Sequence, residues 1–357
     1  MIAKKHVKRL QRLVGVAAVM GLASAAMMAA TVELKRGEDR IEVVIGGQPF
    51  TTYYFHKDVA KAFLMPLRTP SGVVISRPFP VFNDVSMADR KLPGFEPHQR
   101  PLYFNHGNID GLDFWSEAVF SSAYGRGGTG AADSKQASKQ AAPANRPPRA
   151  HGHMTLLKLE EVKDGPDSGI IRARFGLEDP NNRSIGEETQ TYTFRGDDRT
   201  RTIDCEYVFY ALGNAIVFGD TKEGTFAVRL NAELSAPHDH MLNSRGAVGE
   251  PAIWGKPAEW VNYSGTVSGK TVGVVAFDHP SSFRHPTTWH ARAYGLLAAN
   301  PFAAREFTND EKQDGSWTVP ERKSITFRYR VVIYDGEFTP AQLADLYKRF
   351  AAESATR

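Results

Sequence analysis

The chain has one cysteine, Cys205, in 357 residues, which excludes an internal disulfide framework. Cys205 alternates with Ile203 and Tyr207 in an apolar run, the setting of a small buried side chain. No CxxC or HExxH spacing occurs, so the usual metal motifs built on those spacings are missing. There is no G-x-S-x-G elbow to present a serine nucleophile. After Ala30 no apolar run approaches the roughly 20 residues of a membrane helix. Strands do not alternate with helices at βαβ spacing, which argues against a doubly wound nucleotide-binding sheet. Basic charge is scarce once the N-terminus is set aside. Lys4, Lys5, Lys8, Arg9 and Arg12 face no acidic residue before Ala26, so beyond that point the formal charge falls from +4 to −1. No basic stripe with interleaved aromatics remains to recruit nucleic acid.

Those five cations form the basic region of a targeting segment. An apolar stretch from Leu13 to Met20 follows, and Ala23-Ser24-Ala25 offers a small-residue cleavage site. Residues 1–25 are therefore expected to be a signal peptide, giving a periplasmic or secreted protein with no membrane span after cleavage. Residues 26–357 read as one domain, since a chain with 41% hydrophobic residues can build a sizeable core.

The dominant pattern is alternation with period two. Ile41, Val43 and Ile45 alternate with polar residues, and Phe50, Thr52 and Tyr54 follow a Gly46-Gly47 turn. The same pattern holds for Ile171, Ala173, Phe175 and Leu177, then Ile203, Cys205, Tyr207 and Phe209. It returns at Phe226, Val228 and Leu230, at Val272, Val274 and Ala276, and at Ile325 through Ile333. Short half-buried strands bounded by Gly, Asp, Asn and Pro predict an all-β fold, a large antiparallel β-sandwich. One helix closes the chain, with Thr339 as N-cap, Pro340 in its first turn, and Leu343, Leu346, Tyr347 and Phe350 on one face. Residues 125–148 hold no large apolar side chain and are expected to form a disordered surface insertion.

Two segments do not read as ordinary strands. Residues 94–115 (GFEPHQRPLYFNHGNIDGLDFW) and 277–302 (FDHPSSFRHPTTWHARAYGLLAANPF) concentrate histidine, arginine and aromatic rings among prolines. Flat apolar faces beside fixed hydrogen-bond donors suit a polar, ring-shaped ligand; pinning of long loops to backbone carbonyls is the alternative. Histidine is the natural acid or base near neutral pH, so His98, His106 and His290 are the proton-transfer candidates. Arg100, Arg284 and Arg292 are permanent cations suited to oxygens. Asn105, Trp115, His285, Trp289 and Tyr294 complete the expected ligand-binding set. Because His285 precedes Pro286, the segment from Arg284 to Trp289 is expected to be extended. Trp289 and His290 would then face opposite ways, whereas His290 and Arg292 share a face. The two segments are expected to meet and line one pocket. His238 and His240 look like a ligand pair, but a polar turn after Pro237 explains them equally well; Glu96 beside His98 is a second such pair. No metal or cofactor is expected.

The phrases HQRPLYFNHGNIDGLDFW, WGKPAEWVNYSG and HPTTWHARAYGLLAANPF resemble the PmoA-like family, a bacterial domain named after a methane oxygenase subunit. The resemblance runs from about Ile41 to the C-terminal helix. Its first motif, D-H-P-H-H-R-G, is matched only at Pro97, His98 and Arg100, with Glu96, Gln99 and Pro101 departing from it. The second motif is matched at Arg284, His285, Trp289, His290, Arg292, Tyr294, Gly295, Asn300 and Pro301. The lack of apolar spans speaks against the membrane-bound oxygenase itself. The architecture is expected to resemble the supersandwich of aldose epimerases. The expected function is carbohydrate-active, an enzyme acting on a sugar or keto-glycoside by histidine acid/base chemistry. The alternatives are a non-catalytic sugar-binding module and an envelope protein with structural motifs only.

Overall fold

The computed structural model describes residues 29–78, 98–117, 149–235 and 241–353. The segment read as a signal peptide, the insertion at 125–148, and Glu96, His238 and His240 lie outside the described residues.

In chain order the strands begin with β1 (Val32–Arg36), β2 (Arg40–Ile45), β3 (Gln48–Tyr54), β4 (Phe63–Leu64) and β5 (Leu102–His106). Next come β6 (His153–Lys163), β7 (Gly169–Glu178), β8 (Ser184–Gly196), β9 (Thr200–Tyr210), β10 (Ile216–Phe218) and β11 (Gly224–Arg229). The remainder are β12 (Met241–Asn243), β13 (Trp260–Val267), β14 (Lys270–Asp278), β15 (Trp289–Arg292), β16 (Leu296–Ala299), β17 (Trp317–Val319) and β18 (Ser324–Asp335). Helices α1 (Glu250–Ile253) and α2 (Ala304–Thr308) are short, and α3 (Pro340–Ala352) closes the chain.

The strands form two eight-stranded antiparallel sheets. The first runs β1-β2-β3-β4-β5-β11-β16-β15 and the second β12-β13-β14-β18-β9-β8-β7-β6, with β10 and β17 as a separate ribbon. Both sheets contribute to one core. Phe104 stacks on Tyr207 at 4.2 Å and Phe226 on Tyr329 at 4.5 Å, rings of the first sheet against rings of the second. In β9, Ile203, Cys205, Tyr207 and Phe209 are buried while Thr202, Asp204 and Glu206 are only half-buried. That alternation follows from the pleat.

The outer face of the second sheet is covered by α3, whose Leu343 and Phe350 pack with Trp260, Val275, Phe277, Val332 and Tyr334. The helix starts at a full capping box between Thr339 and Gln342, which satisfies two otherwise orphaned backbone donors. The outer face of the first sheet carries a separate cluster of Val59, Phe63, Met65, Tyr103, Trp115, Ala227, Leu296 and Ala298.

Two local expectations are corrected. In β3 the buried residues are Phe50, Thr51 and Tyr53, not Thr52 and Tyr54. The β2–β3 register shifts at Val43/Val44, and a bulge moves side chains from one face to the other. The segment after Phe283 turns instead of extending, with Arg284 at a φ of 55°. Three backbone carbonyls hold the Arg284 guanidinium there, those of Pro301, Gly315 and Ser316. These bonds stabilise a conformation that the chain alone disfavours.

Candidate functional site on the outer face of the first sheet

Register places one row of side chains across six strands. Tyr54 pairs with Phe63, Phe63 with Tyr103, Tyr103 with Ala227, Ala227 with Ala298, and Ala298 with His290. Directly opposed residues share a face, and Phe63, Tyr103, Ala227 and Ala298 all belong to the outer cluster. The two methyl groups at the centre lie between a phenol on one side and an imidazole on the other. At about 4.8 Å per strand, Tyr103 and His290 stand about 14 Å apart along the sheet. A second row, Arg229–Leu296–Arg292, runs beside the first.

A buried charged group abuts the Tyr103 end. Arg100 grips Glu117 with both arms, Nε to Oε1 at 2.9 Å and Nη2 to Oε2 at 2.7 Å. The Lys61 ammonium lies 3.5 Å from Glu117 Oε1, donates to the Trp115 carbonyl, and sits 4.5 Å from the centre of the Tyr103 ring. All three charged side chains are buried. Burial pushes the Lys61 ammonium down to about 8, against the pull of Glu117. Burial alone would raise Glu117, but Arg100 and Lys61 hold it below the usual carboxylate range. Half-buried His98 is driven down to about 3 by desolvation and by the neighbouring Lys61. At the other end Arg292 pairs with Glu250 at 2.7 Å. The Tyr294 ring carries guanidinium groups 4.6 Å (Arg229) and 5.3 Å (Arg292) from its centre.

Among the described residues, the Tyr103 hydroxyl, the Trp115 indole N–H and His290 Nε2 are buried polar atoms at this face without a hydrogen-bond partner. Leaving such groups desolvated and unbonded costs about 1–3 kcal/mol each. His290 Nδ1 donates to the Lys222 carbonyl at 2.9 Å, which leaves the lone pair on Nε2. Burial, then Arg292, push this imidazole down to about 3, so it is neutral near pH 7.

The sequence candidates thus separate into groups. His98, Arg100, Trp115, His290, Arg292 and Tyr294 belong to this face. His106 does not: three residues from Tyr103 on the same strand, it points into the core between Phe218 and Phe302. Its Nε2 donates to the Gly219 carbonyl at 2.8 Å, and burial pushes it down to about 4. A proton-transfer role for His106 is therefore corrected to a packing role. Trp289 also faces the core, donating its indole N–H to the Ala258 carbonyl. Asn105 is buried, bonded to the Met154 sulfur and to the His106 amide. Arg284 is consumed by its carbonyl clamp, and His285 lies against α3, where its Nε2 meets the Tyr347 hydroxyl.

Sequence reading missed Lys61, Tyr103, Glu117 and Arg229. A usable signal existed for Arg229, the one charge in the apolar strand FAVRL, and for Tyr103, which lies within the first motif. Among the described residues no group of three or more His, Cys, Asp or Glu could hold a metal ion, and no helix is long and apolar enough to cross a membrane.

Residues 40–348 match the model of a family described as Family of unknown function (DUF6807). That match overturns the PmoA-like assignment, which nothing here supports. No curated protein matches the chain. Among solved structures, the chain is similar to a galactose mutarotase-like protein from Clostridium acetobutylicum. They share 13% identity over 84% of this chain and 100% of that one, with a TM-score of 0.35. Galactose 1-epimerase from Lactobacillus acidophilus shows 9% identity over 87% and 100% of the two chains, at 0.31. A mutant heparan sulfate lyase from Pedobacter heparinus shows 9% identity at 0.35; 86% of this chain is covered, but only 37% of the lyase. Likenesses this remote carry no argument about chemistry.

Proposed function

The chain belongs to the family of unknown function DUF6807, and we propose that it is a carbohydrate-active protein whose sugar site is the outer face of its first sheet. One observation carries this reading. Tyr103, Trp115 and His290 present buried polar atoms without partners beside two alanines, in a face otherwise lined by rings and paired charges. A sugar offers what these groups lack, hydroxyls for the Tyr103 and Trp115 atoms at one end, or in a chain of more than one ring for His290 at the other, and an apolar ring face for Tyr54 or Tyr294. Arg100 and Glu117 fix the floor by their two-pronged pair.

Binding is the role that this geometry supports most directly, because burial makes His98 and His290 very weak bases, pushed down to about 3, and seals His106 in the core. Turnover is favoured by the placement of Lys61, whose ammonium is buried 4.5 Å from the centre of the Tyr103 ring and pushed down by desolvation to about 8. A lysine in that range exchanges its proton near neutral pH. The test is a thermal-shift series with methyl glycosides, unoxidised, keto and uronic, on protein starting at residue 26. A dose-dependent rise in midpoint with at least one sugar is expected. No rise with any of them would overturn the reading.

A further inference from the structure

Away from this face, the second sheet holds an arrangement that the sugar site does not use. Asp278, at the end of β14, is fully buried, and its Oδ2 accepts from His285 Nδ1 at 2.9 Å and from the Thr287 amide at 2.8 Å. An oxygen receiving two donors leaves His285 protonated on Nδ1, with its lone pair on Nε2. On that side stands the hydroxyl of Tyr347, from α3, at 3.4 Å. This is a long, weak hydrogen bond beside the roughly 2.7–3.2 Å of a well-formed one, which an incoming water or carbonyl oxygen can displace. Burial, with Glu259 and Asp278 nearby, pushes the Tyr347 phenol up to about 12, which keeps it a proton donor at neutral pH. The Glu259 carboxylate is itself held by Ser244 and by Arg245. His285 and Tyr347 are partly exposed while Asp278 is not. The order is thus a buried carboxylate, an oriented imidazole, and a hydroxyl at the surface.

We propose that Asp278, His285 and Tyr347 form a second site, a general-base centre for hydrolysis of small acyl esters. His285 Nε2 takes a proton from water as the water oxygen bonds to the ester carbonyl carbon. The Tyr347 hydroxyl donates a hydrogen bond to the oxyanion and keeps its own proton. The tetrahedral adduct expels the alcohol oxygen, which receives the proton from His285; ester and water become acid and alcohol. Asp278 is a positioning residue that fixes the tautomer. Keeping a carboxylate desolvated is a costly way to pin one loop, whereas orienting a base is a use that needs it.

The test is hydrolysis of p-nitrophenyl acetate by the full chain across pH 5–9. Wild-type protein should exceed buffer throughout this range. His285→Gln should lose on the order of 100-fold. Tyr347→Phe should lose roughly 100-fold in kcat with KM little changed. His153→Gln, at a half-buried histidine on β6 paired with Glu178, should leave the rate unchanged. Asp278→Asn, which loses the acceptor that orients the imidazole, should lower kcat with KM little changed. Wild-type hydrolysis no faster than buffer would overturn the proposal, as would full activity in folded His285→Gln. Should His285→Gln fail to fold by circular dichroism, Tyr347→Phe decides, and an unchanged rate there sinks the proposal.

Discussion

Replacing Glu188 with glutamine should remove a loss of stability that the wild type suffers as pH rises through the neutral range. Glu188 lies on β8 between Phe175 and Phe209 of the neighbouring strands and is fully buried. Its Oε1 accepts from Gln190 at 2.8 Å, and its Oε2 has no partner. Burial raises this carboxyl from 4.5 to about 8, opposed only by the Gln190 bond. The folded state therefore holds the proton more tightly than the unfolded chain does. The stabilisation is complete below pH 4.5 and is lost as pH rises from there to about 8. At 1.36 kcal/mol per pH unit the full loss is about 5 kcal/mol, and about 3 kcal/mol of it is incurred by pH 7. Glutamine keeps the acceptor for Gln190 and removes the titration. Urea unfolding at pH 5, 7 and 8.5 should show the variant gaining on the wild type at each step. Parallel pH curves for the two proteins would refute the reasoning.

Other outcomes follow from the same contacts. Glu117→Ala takes the shared carboxylate from Arg100 and Lys61 and should cost about 3–5 kcal/mol by denaturant unfolding. Gly224→Ala would set a methyl 2.3 Å from His106 Nδ1, between rings that cannot yield. A loss of about 1–3 kcal/mol is expected; no loss would contradict the core placement of His106. Leu343→Ala empties a fully buried position under α3 and should cost about 2–5 kcal/mol, read as a lower thermal midpoint.

The strands were legible where one face is buried and the other is wet, as in β9, because period two then shows directly in residue type. In β3 that signal failed, since a register shift moves the core side from Thr52 and Tyr54 to Tyr53. The two aromatic, polar segments do come together in one sheet, joined through β11. Which of their residues share a face depends on strand parity, and in β5 this turns Tyr103 outward and His106 inward. Chemical type favoured the histidine, whereas geometry favours the tyrosine. Lys61 was illegible, because a lysine in HKDVAKAF reads as a solvated charge until Glu117 and Trp115 are known to lie against it. Arg284 illustrates the reverse: a cation in a rich motif whose donors all go to backbone carbonyls.

Tyr103→Phe tests the sugar site most directly, because it removes one unpartnered hydroxyl and little else. A buried donor without a partner destabilises the empty protein, so the variant's midpoint should equal or exceed that of the wild type. Affinity for the best glycoside of the series should meanwhile fall about ten-fold, the equivalent of about 1.4 kcal/mol, measured by calorimetric titration. Undiminished affinity, or a midpoint that drops with the hydroxyl, would contradict a site built around Tyr103.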